Sequence, residues 1–289
     1  MMRKYEMGSF KSQRLSGIRI SANGVLILMG FLLLPFSLSG MAENQSTGIA
    51  LKDISSPSLA ISLPQHVEIP LVSEEIQIDG KLDEPLWKKA ILLTPFYLNN
   101  GSGTERESTQ LRLAYDDQAL YIGWTCRDED IQATFTERDS TLWDEEVVEM
   151  FLTSDKLTLY YELQWNPLGT IFDARIQNRL NSEGLSKGID GDWDWTAEGM
   201  QSAVWVDGTV QKSDDTDTMW QVEVRLPFSA LGDTIPKSGE VWRGNFYRYS
   251  RTQGRDIELC SWSPTLLPSF HEPSRFGYFE FKPQWSEVR

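Results

Sequence analysis

The sequence predicts an all-β protein, an antiparallel β-sandwich of jelly-roll-like type with one or two short helices. Three observations predict it. Ten short runs alternate apolar and polar residues, clusters of Gly, Pro, Asn and Asp separate them, and no helical periodicity of useful length intervenes. In the clearest run, Trp220, Val222, Val224 and Leu226 alternate with Gln221, Glu223 and Arg225, the pattern of a half-buried antiparallel strand. Sheets of this kind commonly cover their apolar faces by packing on one another.

Taken in order, the chain of 289 residues starts with Arg3, Lys4, Lys11, Arg14 and Arg19 ahead of an apolar run over 25–38 and the small residues of Ser39-Gly40-Met41-Ala42. This is a signal-peptide pattern. The run is shorter than the roughly 20 residues a spanning helix needs, and it contains Pro35. Cleavage after Ala42 is therefore expected, with export to the periplasm or the exterior and no membrane insertion afterwards; a retained N-terminal anchor is the alternative. Residues 43–70, rich in Ser and Pro, read as a linker or loosely attached segment, and 71–289 as one domain. Within it, 75–79 alternates as a short strand would. Residues 83–90 read as a short helix, capped by Asp83 and begun by Pro85. Strands are expected at 110–115, 120–126, 147–153, 160–166, 170–176, 202–206, 219–226, 241–251, 257–262 and 276–282. The long exception is 178–195, whose Gly, Ser and Asp content suggests a loop.

Charge narrows the partners. The whole chain carries −15. Without 1–42 it loses five basic residues and Glu6, leaving 22 basic against 41 acidic residues and a net charge of −19. Such a chain repels nucleic acid and anionic lipid, because affinity for either rests on Lys and Arg.

The candidate site lies between residues 142 and 175. With side chains alternating along a strand, Tyr161, Leu163 and Trp165 point inward, while Tyr160, Glu162, Gln164 and Asn166 line the opposite face. The Asn166-Pro167-Leu168-Gly169 turn returns the chain antiparallel, so Asp173 and Arg175 are expected near the same polar row. A sugar ring presents an apolar C–H face and a belt of hydroxyls, and suits aromatic faces set beside amides and carboxylates on a rigid sheet. Trp143, Glu149, Glu162, Gln164 and Asn166 supply both. Each also has a plainer reading. With 11 Trp in the chain, Trp143 could be core; Glu149 could be a buried carboxylate paired with Arg175 or Arg248; the polar row could be a solvated sheet face.

Four motifs, Ile78-Asp79-Gly80-Lys81-Leu82-Asp83-Glu84, Leu113-Ala114-Tyr115-Asp116-Asp117, the stretch 143–152 and Phe276-Gly277, occur in one order. Together they make the chain, over about 76–281, resemble the family 9 carbohydrate-binding modules. The resemblance implies a β-sandwich that grips the terminal sugar of an oligo- or polysaccharide between two aromatic rings, in polysaccharide utilisation and beside a partner glycoside hydrolase. Trp143 looks like the first ring and Glu149 like the carboxylate below it. Phe270 stands where the family has a second Trp, and Tyr160, Glu162 and Gln164 stand where it has an amide, an Arg and an Asn. Structural calcium is also part of the resemblance, without assigned ligands; no other cofactor is implied.

Other chemistries find less support. Asp190-Gly191-Asp192-Trp193-Asp194 alternates carboxylates, but Trp195 and Gln201 replace the Gly and Glu of a calcium loop. That segment and Asp128-Glu129-Asp130 both read as solvated loop acid. A glycoside hydrolase would use two carboxylates, for which Glu149 and Glu162 are candidates. A haem-binding sandwich would have only His66 and His271 to offer. Cys126 and Cys260 read as buried thiols on separate strands, with a disulfide left open.

Overall fold

A computed structural model describes residues 64–283 except 155, 233, 234 and 253. The expected signal segment and most of the expected linker lie outside these residues. Among the described residues there are fourteen strands and one short α-helix, α1 (Pro85–Lys89). The strands are β1 (His66–Ile69), β2 (Ile91–Leu93), β3 (Tyr97–Leu98), β4 (Thr109–Tyr115), β5 (Ala119–Arg127), β6 (Val147–Thr153), β7 (Leu159–Trp165) and β8 (Ile171–Leu180). They continue with β9 (Ser186–Asp192), β10 (Gln201–Asp207), β11 (Met219–Pro227), β12 (Val241–Ser250), β13 (Glu258–Ser261) and β14 (Gly277–Phe281).

Two sheets result. The larger runs β1-β14-β12-β6-β7-β8-β9, with β13 also on β12 and β3 on β13; the smaller runs β10-β11-β5-β4-β2. Strand pairs are antiparallel apart from β1 with β14. Residues of one parity face the partner sheet, so Val148, Met150, Leu152, Leu163 and Trp165 meet Trp124, Ile122, Trp220 and Val222 in one core. The smaller sheet covers part of its other face with α1, which buries Leu86 and Trp87 against Ala114 and Tyr121. The larger sheet turns its second face to a separate aromatic cluster of Leu142, Phe151, Tyr160, Phe172, Tyr247, Phe270 and Phe276. That face is where the candidate site stands.

Four expectations change. Residues 66–69, read as linker, are a strand pairing Val67 with Phe279 and Ile69 with Phe281. Residues 75–79 form no strand. The N-cap of α1 is Glu84 rather than Asp83, and it makes no capping bond through its side chain. The expected loop at 178–195 is largely a hairpin, with β8 extended to Leu180 and β9 paired back on it.

Asp79, Gly80 and Trp87 are tied down by Glu223 of β11. Glu223 Oε2 accepts the N–H of Asp79 (2.8 Å) and of Gly80 (3.0 Å), and Oε1 accepts Trp87 Nε1–H (2.9 Å). Gly80 has φ +94°, and a Cβ there would lie 2.7 Å from the backbone of Val204. Only glycine meets both conditions without strain. This explains the Asp79-Gly80 of the first motif, together with Trp87 just after it, as a lock on the smaller sheet.

Candidate functional site

The outer face of the larger sheet is read directly from register. Tyr247 of β12 pairs with Glu149 of β6, Glu149 with Gln164 of β7, and Gln164 with Phe172 of β8. Four side chains thus form one row across four strands. At about 4.8 Å per strand the row is about 14 Å long. Glu162 sits diagonally from Glu149, opposite Phe151.

Aromatic rings stand at both ends of this row. Phe270, carried in by the loop between β13 and β14, stacks on Tyr247 with centroids 4.1 Å apart and 13° between planes, and meets Tyr249 edge-on at 5.1 Å. Tyr247 donates its hydroxyl to the carbonyl of Phe270 (3.0 Å). Asn178 Nδ2 donates to the carbonyl of His271 (3.2 Å), and the Tyr160 hydroxyl is bonded to His271 Nδ1 (2.7 Å). At the far end Trp143, in a 3-10 turn before β6, stands edge-on to Phe172 at 5.2 Å. Arg251 braces that turn, donating to the carbonyls of Trp143 (2.8 Å) and Glu145 (2.9 Å). Trp193 joins Phe172 at 5.6 Å. It lies so close over Gly191 that a Cβ there would fall 2.2 Å from its ring.

Between the ends lies a floor of acceptors. Glu149, Glu162 and Gln164 are buried, at 2%, 3% and 0% exposure. Gln164 Nε2 donates to Glu162 Oε1 (2.7 Å). Glu162 Oε2 and Gln164 Oε1 have no partner among the described residues. Burial, followed by repulsion from Glu162, holds the Glu149 carboxyl well above the ordinary carboxylate range. Burial likewise raises Glu162, against the lowering effect of its Gln164 hydrogen bond. Among the described residues neither carboxylate is paired with an Arg.

Two expected members leave the site. Arg175 pairs in register with Tyr161, on the opposite face, where it is half exposed and ion-paired with Asp192 at 2.8 Å. Asp173 likewise pairs with Leu163 and is bound by Arg138 at 2.7 Å. The pairing around the 166–169 turn matches even residues with even, so Phe172 and Ala174 return to the polar row instead. Asn166 is on the expected face but is committed to the turn. Its Oδ1 accepts the N–H of Leu168 (3.1 Å) and Thr170 (2.9 Å), and its Nδ2 donates to the Phe135 carbonyl (2.8 Å). Arg248, the other suggested partner of Glu149, is buried on the core side with Asp128 (2.9 Å) and Glu146 (3.1 Å). Asp128 is thus a buried ion-pair member rather than solvated loop acid.

Sequence reasoning missed Phe172, Tyr247, Tyr249 and Trp193. The first three carry the right parity in strands already legible, but which strands adjoin was not. Trp193 was hidden in the segment read as loop.

The fold agrees with what comparison shows. The family model described as carbohydrate-binding family 9 matches residues 101–281, more than half of the chain. The chain belongs to carbohydrate-binding family 9. A non-catalytic, carbohydrate-binding role comes with that membership. Among solved structures, this family 9 protein is similar to a candidate carbohydrate-binding protein from Bacteroides uniformis ATCC 8492, with 17% identity, a TM-score of 0.58 and coverage of 75% of this chain and 99% of that one. It is also similar to a family 9 carbohydrate-binding module from Caldicellulosiruptor kristjanssonii in complex with glucose, with 18% identity, a TM-score of 0.50 and coverage of 78% and 100%. At these identities the likeness concerns the fold. No curated protein matches the chain.

The calcium that the sequence resemblance brought in does not find a good seat. Asp190 and Asp192 are each ion-paired, with Arg179 (2.7 Å) and Arg175 (2.8 Å). Among the described residues, Asp79, Glu84 and Glu223 alone bring three potential ligand oxygens within 4.8 Å of one another. Both oxygens of Glu223 already accept N–H groups, however, as the lock on the first motif. Calcium takes 6–8 oxygens, so this set does not make a cage and no metal is assigned.

Proposed function

We propose that the domain holds a sugar unit at the end of an oligo- or polysaccharide on the outer face of the larger sheet. Trp143 flanks that unit, the Phe270 ring stacked on Tyr247 closes the other end of the face, and Glu149, Glu162 and Gln164 are its floor. The observation that carries this reading is the unspent acceptors, Glu162 Oε2 and Gln164 Oε1, at the centre of a face otherwise built of packed rings. A buried polar atom without a partner costs about 1–3 kcal/mol. Sugar hydroxyls are donors that relieve this cost, and the ring C–H faces suit the aromatic ends. Because the floor is buried, entry requires the Trp143 turn and the Phe270 loop to part.

Both glutamates lie on one sheet face beneath the sugar rather than on opposite sides of a glycosidic bond, where a pair of catalytic carboxylates belongs. The domain therefore binds without cleaving. The haem alternative has little to work with, since His271 Nδ1 is bonded to Tyr160 and His66 is half exposed beside Glu280 at 3.4 Å. The N-terminal pattern adds export, to the periplasm or the exterior, and with it service to polysaccharide utilisation beside a glycoside hydrolase. A glycan array followed by calorimetry tests binding, and Trp143→Ala should abolish most of the signal without unfolding the domain. Release of reducing sugar from a polysaccharide panel, lost in Glu149→Gln, would replace the binding reading with a hydrolase. N-terminal sequencing of exported material should begin near Glu43; an intact Met1 in the cytosol would overturn export.

A further inference from the structure

The floor is chemically one-sided. Glu162 Oε2 and Gln164 Oε1 are both acceptors, Glu149 is buried beside them in register with Gln164, and the Gln164 amide turns to Glu162 rather than outward. Among the described residues no cation answers these two carboxyls. Arg248 and Arg175 are on the opposite face with their own acids. Arg251, at the rim, is held by two carbonyls and lies over Tyr249 at 5.7 Å. His271 is bonded to Tyr160, and burial lowers its pKa to about 4. The other titratable neighbours, Tyr160, Tyr247, Tyr249, Asp144 and Glu272, bring no positive charge; the Asp144 and Glu272 carboxylates accept bonds from Thr141 and from Ser186 and Ser274.

A neutral sugar would supply donors to this floor but bring no charge against which its carboxyls could ionise. An ammonium group both donates and neutralises, and charge-assisted bonds are about twice as strong as neutral ones. We propose that the sugar this site selects is an amino sugar, a hexosamine unit whose amine is free rather than acylated. The inference rests on the preceding reading of the face as a sugar site. The acidic chain, at −15 overall, would also draw in a polymer of such units by long-range attraction. On binding, a carboxyl that held a proton in the free protein ionises against the ligand ammonium, and that proton passes to the buffer.

Calorimetry of the full chain at pH 5.5, where the amines are protonated in solution, against three trimers tests this: glucosamine with free amines, N-acetylglucosamine, and cellotriose. Each titration is run in two buffers of different ionisation enthalpy. The free-amine trimer should bind at least about tenfold more tightly than either neutral trimer, a difference of about 1.4 kcal/mol. Proton release should accompany the free-amine trimer alone, a readout that needs no variant. In Glu149→Gln/Glu162→Gln the affinity ratio between amine and neutral trimers should collapse toward one. If a neutral trimer binds as tightly as the amine, the amino-sugar inference falls while the sugar site stands. If amine binding survives the double substitution yet vanishes in 0.5 M salt, it is diffuse attraction to the acidic surface, and the inference again falls. If no trimer binds, both readings fall together.

Discussion

Phe270→Ala is expected to damage the fold more than the site. The ring is 4% exposed, lies flat on Tyr247 at 4.1 Å and abuts Tyr249 at 5.1 Å. Removing a buried Phe side chain costs about 3–5 kcal/mol. Phe270 sits in a loop that can partly collapse onto the sheet, so the lower end, about 3 kcal/mol, applies. For a domain of this size each kcal/mol moves Tm by roughly 2–4 °C, and the variant should melt roughly 6–12 °C below the parent. Trp143 differs, because it is half-buried and meets Phe172 only by its edge. Trp143→Ala should cost less stability but remove a stacking face worth about 1–3 kcal/mol of sugar affinity, by analogy with base stacking. Thermal melts and sugar calorimetry on both variants separate the two effects, and Phe270→Leu should recover much of the lost melting temperature. If Phe270→Ala melts within about 2 °C of the parent, the ring is a free platform and its packing on Tyr247 does not hold the loop.

Burial raises both glutamates of the floor above the roughly 4.3 of an unfolded chain. The folded state then holds protons that the unfolded state has released, so their contribution to stability is fullest below that value and falls as pH rises. Glu162→Gln should therefore gain on the parent as urea melts move from pH 5 to pH 8, and a constant difference would refute the buried-carboxyl account. Arg248→Met strands Asp128 and Glu146 in the core and should cost about 3–5 kcal/mol, with part recovered when both acids are also replaced by their amides; denaturant melts decide. Gly191→Ala should displace Trp193, seen as a change in tryptophan emission and weaker sugar binding, because the added methyl would meet its ring. Cys126 and Cys260 are free and buried, and burial raises both thiols. A thiol reagent should label neither in the folded protein and both after unfolding, whereas a mass lower by two hydrogens would reveal a bridge.

The ten expected strands all exist because a half-buried strand writes its period of two into the chain. Val147–Thr153 has the predicted bounds, and Tyr160, Glu162 and Gln164 lie opposite Leu163 and Trp165 as alternation requires. The ordered motifs likewise sufficed for the family, whose match over 101–281 contains three of the four, at 113–117, 143–152 and 276–277. Alternation does not say which strands adjoin or in what register. Arg175 was lost to the opposite face by the parity of a single turn, and β1 found its partner about two hundred residues away. Whether Phe270 is an open platform or a buried ring depends on the Tyr247 hydroxyl reaching its carbonyl, and Trp193 enters the site because Gly191 leaves room for it. Such contacts are set by pairwise fit between distant segments, and only the folded chain brings those segments together.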